Sequence, residues 1–95
     1  MERLDDATVS VGLEGLRWER QGDVIATVRT FGGFAEALAW VNRVGALAEA
    51  MDHHPDIAIS WNRVTLTLTT HSAGGLTSTD LDLAAAVDAL GPPPP

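Results

Sequence analysis

Alternating apolar and polar residues predict two β-hairpins. The sharpest alternation covers residues 64–70, where Val and Leu face one side of a strand and Thr the other. Ile57 to Trp61 forms the preceding strand, with a turn at Asn62-Arg63. If the second strand extends far enough, His71 points with the threonines.

The earlier hairpin is predicted around the turn at Gln21-Gly22-Asp23. Its first strand is Leu16 to Glu19, which contains Trp18, and its second is Val24 to Phe31. The second strand is rich in β-branched residues and alternates, as expected when one face of a sheet is buried.

The longest periodic segment, Phe34 to Met51, predicts an amphipathic helix. Pro55 prevents the helix from continuing and disfavours helical backbone at His54. His53 and His54 therefore lie at its C-terminal end. We expect its apolar stripe to face the core, and the stripe comprises Phe34, Leu38, Val41, Val44, Gly45, Leu47, Ala48 and Met51.

The two ends of the chain predict shorter helices. Residues 1–16 carry little periodic signal, although Asp5 and Asp6 can cap a short helix through Ala7 to Val11. After a loop at 72–75, Thr77 has the pattern of an N-cap, Asp80 that of the N3 carboxylate, and Leu76 with Leu81 that of a hydrophobic staple. This helix runs to about Leu90, Gly91 ends it, and residues 92–95 form an extended proline tail.

These elements predict a single α+β domain over residues 1–95, in which helices cover one face of a four-stranded antiparallel sheet. The chain has no cysteine, so disulfides and thiolate chemistry are excluded. A net charge of -7, with six arginines and no lysine, opposes nucleic-acid binding. No segment resembles a signal peptide or membrane span, so we expect a cytoplasmic protein that does not bind membranes.

All three histidines, His53, His54 and His71, fall within nineteen residues. Adjacent histidines point in divergent directions, which disfavours a shared metal ion. Ser72 lies beside His71, but no nucleophile-elbow motif surrounds it. General acid and base catalysis fits the cluster better, because imidazole titrates near neutrality.

Nearby charges support that interpretation. The helix C-terminus, together with Glu49, Asp52 and Asp56, should favour a charged imidazolium, which can donate a proton. His71, from the end of a strand, could act as the complementary base.

The spacing of these residues resembles the active-site pattern of the pterin-4a-carbinolamine dehydratase family. Three, five, nine and eight residues separate the successive groups of the pattern, which are Glu49, His53-His54-Pro55, Trp61, His71 and Asp80. The flanking sequence is also similar, so the likeness covers roughly residues 18–90. The matching flanks are Asn42-Arg43-Val44, Trp61-Asn62-Arg63-Val64, Thr69-Thr70-His71 and Gly74-Gly75-Leu76-Thr77.

The resemblance implies dehydration of a 4a-hydroxytetrahydropterin to the quinonoid dihydropterin, with no metal or other cofactor. It assigns proton transfer to His53 and His71. It makes His54 a further catalytic residue, which binds and orients the pterin. It also implies a homo-oligomer, either a dimer or a tetramer. The implied substrate-binding residues are Glu49, Asp52, His53, His54, Pro55, Trp61, Thr69, Thr70, His71, Ser72 and Asp80.

This sequence departs from the family in places: Ile57 stands where some members have tryptophan, and residues 30–34 are unusually rich in glycine. Two alternatives remain open. Some relatives act as non-catalytic interaction modules, either dimerisation cofactors or assembly factors. Related chemistry on another pterin, such as a molybdopterin precursor, would need the same residues.

Overall fold

The computed structural model describes residues 2–91, so the predicted proline tail lies outside the described residues. The helices are α1 (Asp6–Leu13), α2 (Phe34–Met51) and α3 (Ser78–Asp88). The strands are β1 (Glu19–Gln21), β2 (Val24–Thr30), β3 (Asp56–Ser60) and β4 (Arg63–Leu68), and a short 3₁₀ turn covers His71–Ala73.

The sheet has the order β1-β2-β4-β3, and every pairing is antiparallel. Its two hairpins lie side by side because β2 pairs with β4 from Ile25↔Leu68 to Thr30↔Arg63. Side chains from one face of β2 and β4 join residues of all three helices in one buried cluster. The predicted α+β fold, with helices on one face of the sheet, is confirmed.

Helix α2 has the predicted bounds, but the predicted stripe was partly wrong. Its buried residues are Ala37, Trp40, Val44 and Ala48, whereas Phe34 is 51% and Leu38 41% exposed. The helix is rotated so that small alanines lie against the core and Trp40 fills the space between α2 and the sheet. Hydrophobicity alone favoured the larger Phe and Leu side chains.

Several strand ends differ from the predictions. β1 begins at Glu19, because the residues before it approach α3 instead: the N–H of Arg17 and Nε1 of Trp18 both donate to Asp88, at 2.7 and 3.0 Å. In the second hairpin the turn residues are Trp61 and Asn62, and Trp61 has a φ of 53°. β4 ends at Leu68, so His71 is not part of the strand and lies in the 3₁₀ turn.

Both predicted helix starts are confirmed. The side chain of Asp5 accepts a hydrogen bond from the N–H of Thr8, which caps α1. Hydrogen bonds from the side chain and then the N–H of Thr8 lower the pKa of Asp5. Thr77 and Asp80 form the capping box of α3, which ends at Asp88, two residues before the predicted end. Within residues 2–91, no helix is long and apolar enough to cross a membrane.

Candidate active site

Three chain segments meet where α2 ends, β4 ends and α3 begins. Asp52 terminates α2 in the left-handed conformation (φ 48°), and its N–H bonds to the carbonyls of Ala48 and Glu49. Asp is one of the few residues other than glycine that adopt this conformation readily. The N–H of His53 also bonds to the Ala48 carbonyl, at 3.0 Å. This turn fixes where the two adjacent histidines leave the helix.

Asp80 is the buried centre of the site. It is 0% exposed, and its Oδ1 lies 2.5 Å from Nε2 of His53. Its Oδ2 accepts hydrogen bonds from the hydroxyl of Thr70 at 2.8 Å and from the N–H of Thr77 at 2.9 Å. A buried carboxylate with three partners has a fixed orientation, and so it holds the imidazole of His53 in one position.

His54 belongs to a separate and more open pair. Its Nε2 bonds to Oε2 of Glu49, and both side chains are largely exposed to solvent. Such a pair adds little to stability, since exposed ion pairs are well screened by water. It does hold the imidazole of His54 beside the end of α2, where a ligand can reach it.

The segment after β4 carries the third imidazole. His71 and Ser72 are exposed residues of the 3₁₀ turn, and the side chain of His71 has no hydrogen-bond partner among the described residues. The neighbouring threonines point elsewhere: Thr69 donates its hydroxyl to the carbonyl of Asp23 at 2.7 Å, and Thr70 is turned inward onto Asp80. Among these four residues, only His71 and Ser72 present exposed side chains.

Trp61 lies away from the histidines within one chain. It is 68% exposed at the β3–β4 turn, whereas the histidines flank the other end of this hairpin. Five strand residues span about 17 Å. Pro55 follows His54 and immediately precedes β3, so it lies at the histidine end of the hairpin, where it is partly buried. The structure therefore places the other predicted residues at the end of α2, after β4 and at the start of α3, and leaves Trp61 apart.

Sequence reasoning identified Thr77 as a helix cap but missed its part in the site. Its hydroxyl lies 2.9 Å from that of Thr70, and both residues are buried beside Asp80. The capping pattern was the available signal, since a cap residue three positions before a site carboxylate must lie next to it. Within residues 2–91, no group of three or more His, Cys, Asp or Glu side chains is arranged to hold a metal ion.

A groove of about 610 Å³ lies at the C-terminal end of α3, away from the histidines. Sequence reasoning did not find it. Its wall contains the buried guanidinium of Arg29, which pairs with Asp88 and lies 5.3 Å from the ring centroid of Trp40. This ion pair ties β2 to the end of α3 and so supports the sheet–helix packing.

Comparison with known proteins decides the family. The family model described as pterin 4 alpha carbinolamine dehydratase matches residues 2–90. The chain belongs to this family. A curated relative from Thermomicrobium roseum is 55% identical over 85 residues, which cover 88% of this chain and 91% of the relative. A relative from Nocardia farcinica is 48% identical over 90 residues, or 94% of this chain and 95% of the relative. Both are named provisionally as pterin-4-alpha-carbinolamine dehydratases.

Two solved structures of the family extend the comparison. A transcriptional coactivator/pterin dehydratase from Brucella melitensis superposes with a TM-score of 0.87 and is 31% identical, covering 93% of this chain and 97% of that one. A pterin dehydratase-like protein, identified as a RuBisCO assembly factor in the α-carboxysome, has a TM-score of 0.62 and 27% identity. That match covers 78% of this chain and 86% of the other. The solved relatives of this chain are thus described with roles besides dehydration.

Proposed function

We propose that this protein is an enzyme that dehydrates 4a-hydroxytetrahydropterins to quinonoid dihydropterins. The observation that carries the proposal is the contact between His53 and the fully buried Asp80. Capping of α3 requires only the contact of Oδ2 with the N–H of Thr77, so it does not account for the contact of Oδ1 with His53. An oriented imidazole at a solvent-accessible edge is useful for moving protons.

The proposed reaction needs two proton transfers. One group removes the proton from N5 of the pterin, and another protonates the 4a-hydroxyl as the C4a–O bond breaks and water leaves. His53 suits the first role because the Asp80 carboxylate stabilises the imidazolium that forms. This proposal reverses the expectation from sequence, in which His71 is the base. His71 is exposed and unpaired among the described residues, so it is free to supply the second proton.

His54 is proposed to bind and orient the pterin, together with Glu49, Asp52, Pro55 and Ser72. The pterin ring is flat and edged with donors and acceptors, so exposed backbone groups at the end of α2 and in the 3₁₀ turn suit it. No metal or other cofactor has a role in this proposal.

Alanine variants of the three histidines test the division of roles. We expect His53→Ala and His71→Ala to lower kcat for the dehydration of freshly generated carbinolamine by about 100-fold or more, since general acid–base catalysis contributes about 10²–10⁴-fold. His54→Ala should mainly raise KM. Full activity in both His53→Ala and His71→Ala would exclude the proposed mechanism.

We also propose that the protein is a homo-oligomer. The outer edge of β3 has no pairing strand within residues 2–91 and carries Ile57, which is 40% exposed, and Phe34 and Leu38 are exposed on α2. Unprotected edges and apolar patches of this kind favour association. Sedimentation should show a dimer or tetramer, and a monomer at micromolar concentration would contradict the proposal.

The second candidate function is that of a non-catalytic interaction module. It is favoured by the solved relative that was identified as a RuBisCO assembly factor. It is also favoured by Phe34 and Leu38, the exposed apolar residues of α2. Co-elution of the protein with a defined partner, lost in Leu38→Glu but kept in His53→Ala, would support this candidate over catalysis.

A further inference from the structure

We infer that Thr70 is a positioning residue that determines which nitrogen of His53 exchanges the proton. Its side chain is not part of the pterin-binding surface. The residue is only 9% exposed, and its hydroxyl lies between Oδ2 of Asp80, at 2.8 Å, and the hydroxyl of Thr77, at 2.9 Å. The catalytic part of this inference rests on the proposed dehydration.

The hydrogen atoms around Asp80 can be assigned by counting donors. An ionised carboxylate only accepts hydrogen bonds, so Thr70 must direct its single hydroxyl hydrogen to Oδ2. The contact between the two hydroxyls is then completed by the hydrogen of Thr77. With the N–H of Thr77 also bound, Oδ2 has two donors. Oδ1 is left for His53.

The same count fixes the tautomer of His53. Because Oδ1 can only accept, Nε2 of His53 must carry the hydrogen in this contact. In the neutral imidazole Nδ1 then presents its lone pair, and it has no hydrogen-bond partner among the described residues. No buried side-chain nitrogen or oxygen of those residues lacks a partner, so Nδ1 is open to solvent. Nδ1 is therefore the atom that takes the proton from the pterin.

Thr70 also holds the turn that carries His71. Its N–H donates to the Gly75 carbonyl at 3.1 Å, and its own carbonyl accepts from the N–H groups of Ala73 and Gly75 at 3.0 and 3.4 Å. The backbone of Thr70 thus anchors His71, while its hydroxyl orients the carboxylate that holds His53. One residue connects the two imidazoles that are proposed to move protons.

The test combines nitrogen NMR with kinetics. The ¹⁵N resonances of His53 are identified by their loss in His53→Gln, and they distinguish the protonated from the unprotonated ring nitrogen. We expect the wild type to carry its hydrogen on Nε2. Thr70→Val removes one of the two donors to Oδ2, so the Asp80 carboxylate can turn away from Nε2 of His53. We then expect a mixture of His53 tautomers and a kcat lower by about 10- to 100-fold, the scale seen when the hydrogen-bond partner of a metal-ligating histidine is removed. KM should change little.

Two variants serve as controls. Thr70→Ser keeps the hydroxyl and should restore both the tautomer and kcat. Thr65→Val makes the same chemical change on the partly exposed face of β4 and should behave as wild type. If Thr70→Val fails to fold, a hydrogen on Nδ1 of His53 in the wild type or in Thr70→Ser would still overturn the inference.

A wild-type His53 with its hydrogen on Nδ1 would overturn the inference. So would a folded Thr70→Val whose tautomer and kcat equal those of wild type. If the wild type does not dehydrate carbinolamines at all, the proposed function fails, whereas the tautomer of His53 still supports or overturns the role of Thr70.

Discussion

Replacing Asp80 by asparagine should keep the fold but reverse the tautomer of His53. The amide oxygen can accept the hydrogen bonds from Thr70 and Thr77, which places the amide NH₂ against Nε2 of His53. Nε2 must then offer its lone pair, and the hydrogen moves to Nδ1. The atom proposed to take the substrate proton would already be protonated.

The expected magnitudes follow from the contacts of Asp80. Hydrogen bonds to a charged group stabilise by about 1.5–3 kcal/mol and neutral ones by about 0.5–1.5 kcal/mol, so weakening the three bonds costs about 3–4.5 kcal/mol. Burying a neutral amide instead of a charge offsets part of this cost, and the net loss is about 1–3 kcal/mol. For a domain of this size that corresponds to a melting temperature lower by roughly 5–20 °C. The same substitution beside the histidine of a serine-protease triad lowers kcat by about 10⁴-fold through the wrong tautomer, and we expect a loss of similar order.

The assay is the steady-state rate of carbinolamine dehydration, measured well below the melting temperature of the variant. Asp82→Asn is the matched control, because Asp82 is exposed two residues further along α3 and its change should affect neither rate nor stability. A folded Asp80→Asn variant with a kcat near that of wild type would refute the reasoning. So would a loss of activity with the hydrogen still on Nε2.

Three further predictions concern stability and are measured by urea unfolding. Asp88→Ala should lower the free energy of unfolding by about 3–5 kcal/mol, because it leaves the guanidinium of Arg29 buried and unpaired; a loss below about 1 kcal/mol would contradict this. Hydrogen bonds lower the pKa of Asp5 in the folded state, so its stabilising effect is present above its ordinary pKa of 3.8 and is lost as the pH falls below it. Wild type should therefore lose more stability than Asp5→Asn on acidification, and equal losses would exclude this linkage. Gly12→Ala places its methyl group too close to Cδ1 of Leu81, so the end of that partly buried side chain must shift, and the variant should be stabilised less than Gly45→Ala. Gly45→Ala, in open space on α2, should stabilise by about 0.5–1 kcal/mol, and an equal or larger stabilisation by Gly12→Ala would contradict the packing.

The sequence predicted those parts of the fold that local chemistry determines. The bounds of α2 follow from its periodicity and from Pro55, and the start of α3 follows from the capping pair Thr77 and Asp80. Which face of α2 lies against the sheet depends instead on how closely the two can approach. That is why buried Ala37 and Trp40 were not distinguished from exposed large residues.

The candidate site was predicted in composition but not in geometry. Spacing along the chain gave the three histidines and Asp80, yet His53 and Asp80 are 27 residues apart and nothing local indicates that they touch. The capping pattern gave Asp80 a complete local explanation, which concealed its second contact. Trp61 shows the converse, because a residue that fits the family spacing need not lie beside the histidines of its own chain, and its part in the site stays a prediction.

The most direct test of the central claim is the rate at which freshly generated 4a-hydroxytetrahydropterin disappears, with and without the wild-type protein. We predict that the wild type accelerates dehydration clearly and in proportion to protein concentration. The double variant His53→Ala/His71→Ala should give rates near the uncatalysed background. Equal rates for wild type, double variant and buffer would contradict the claim that His53, held by Asp80, and His71 form a dehydratase active site.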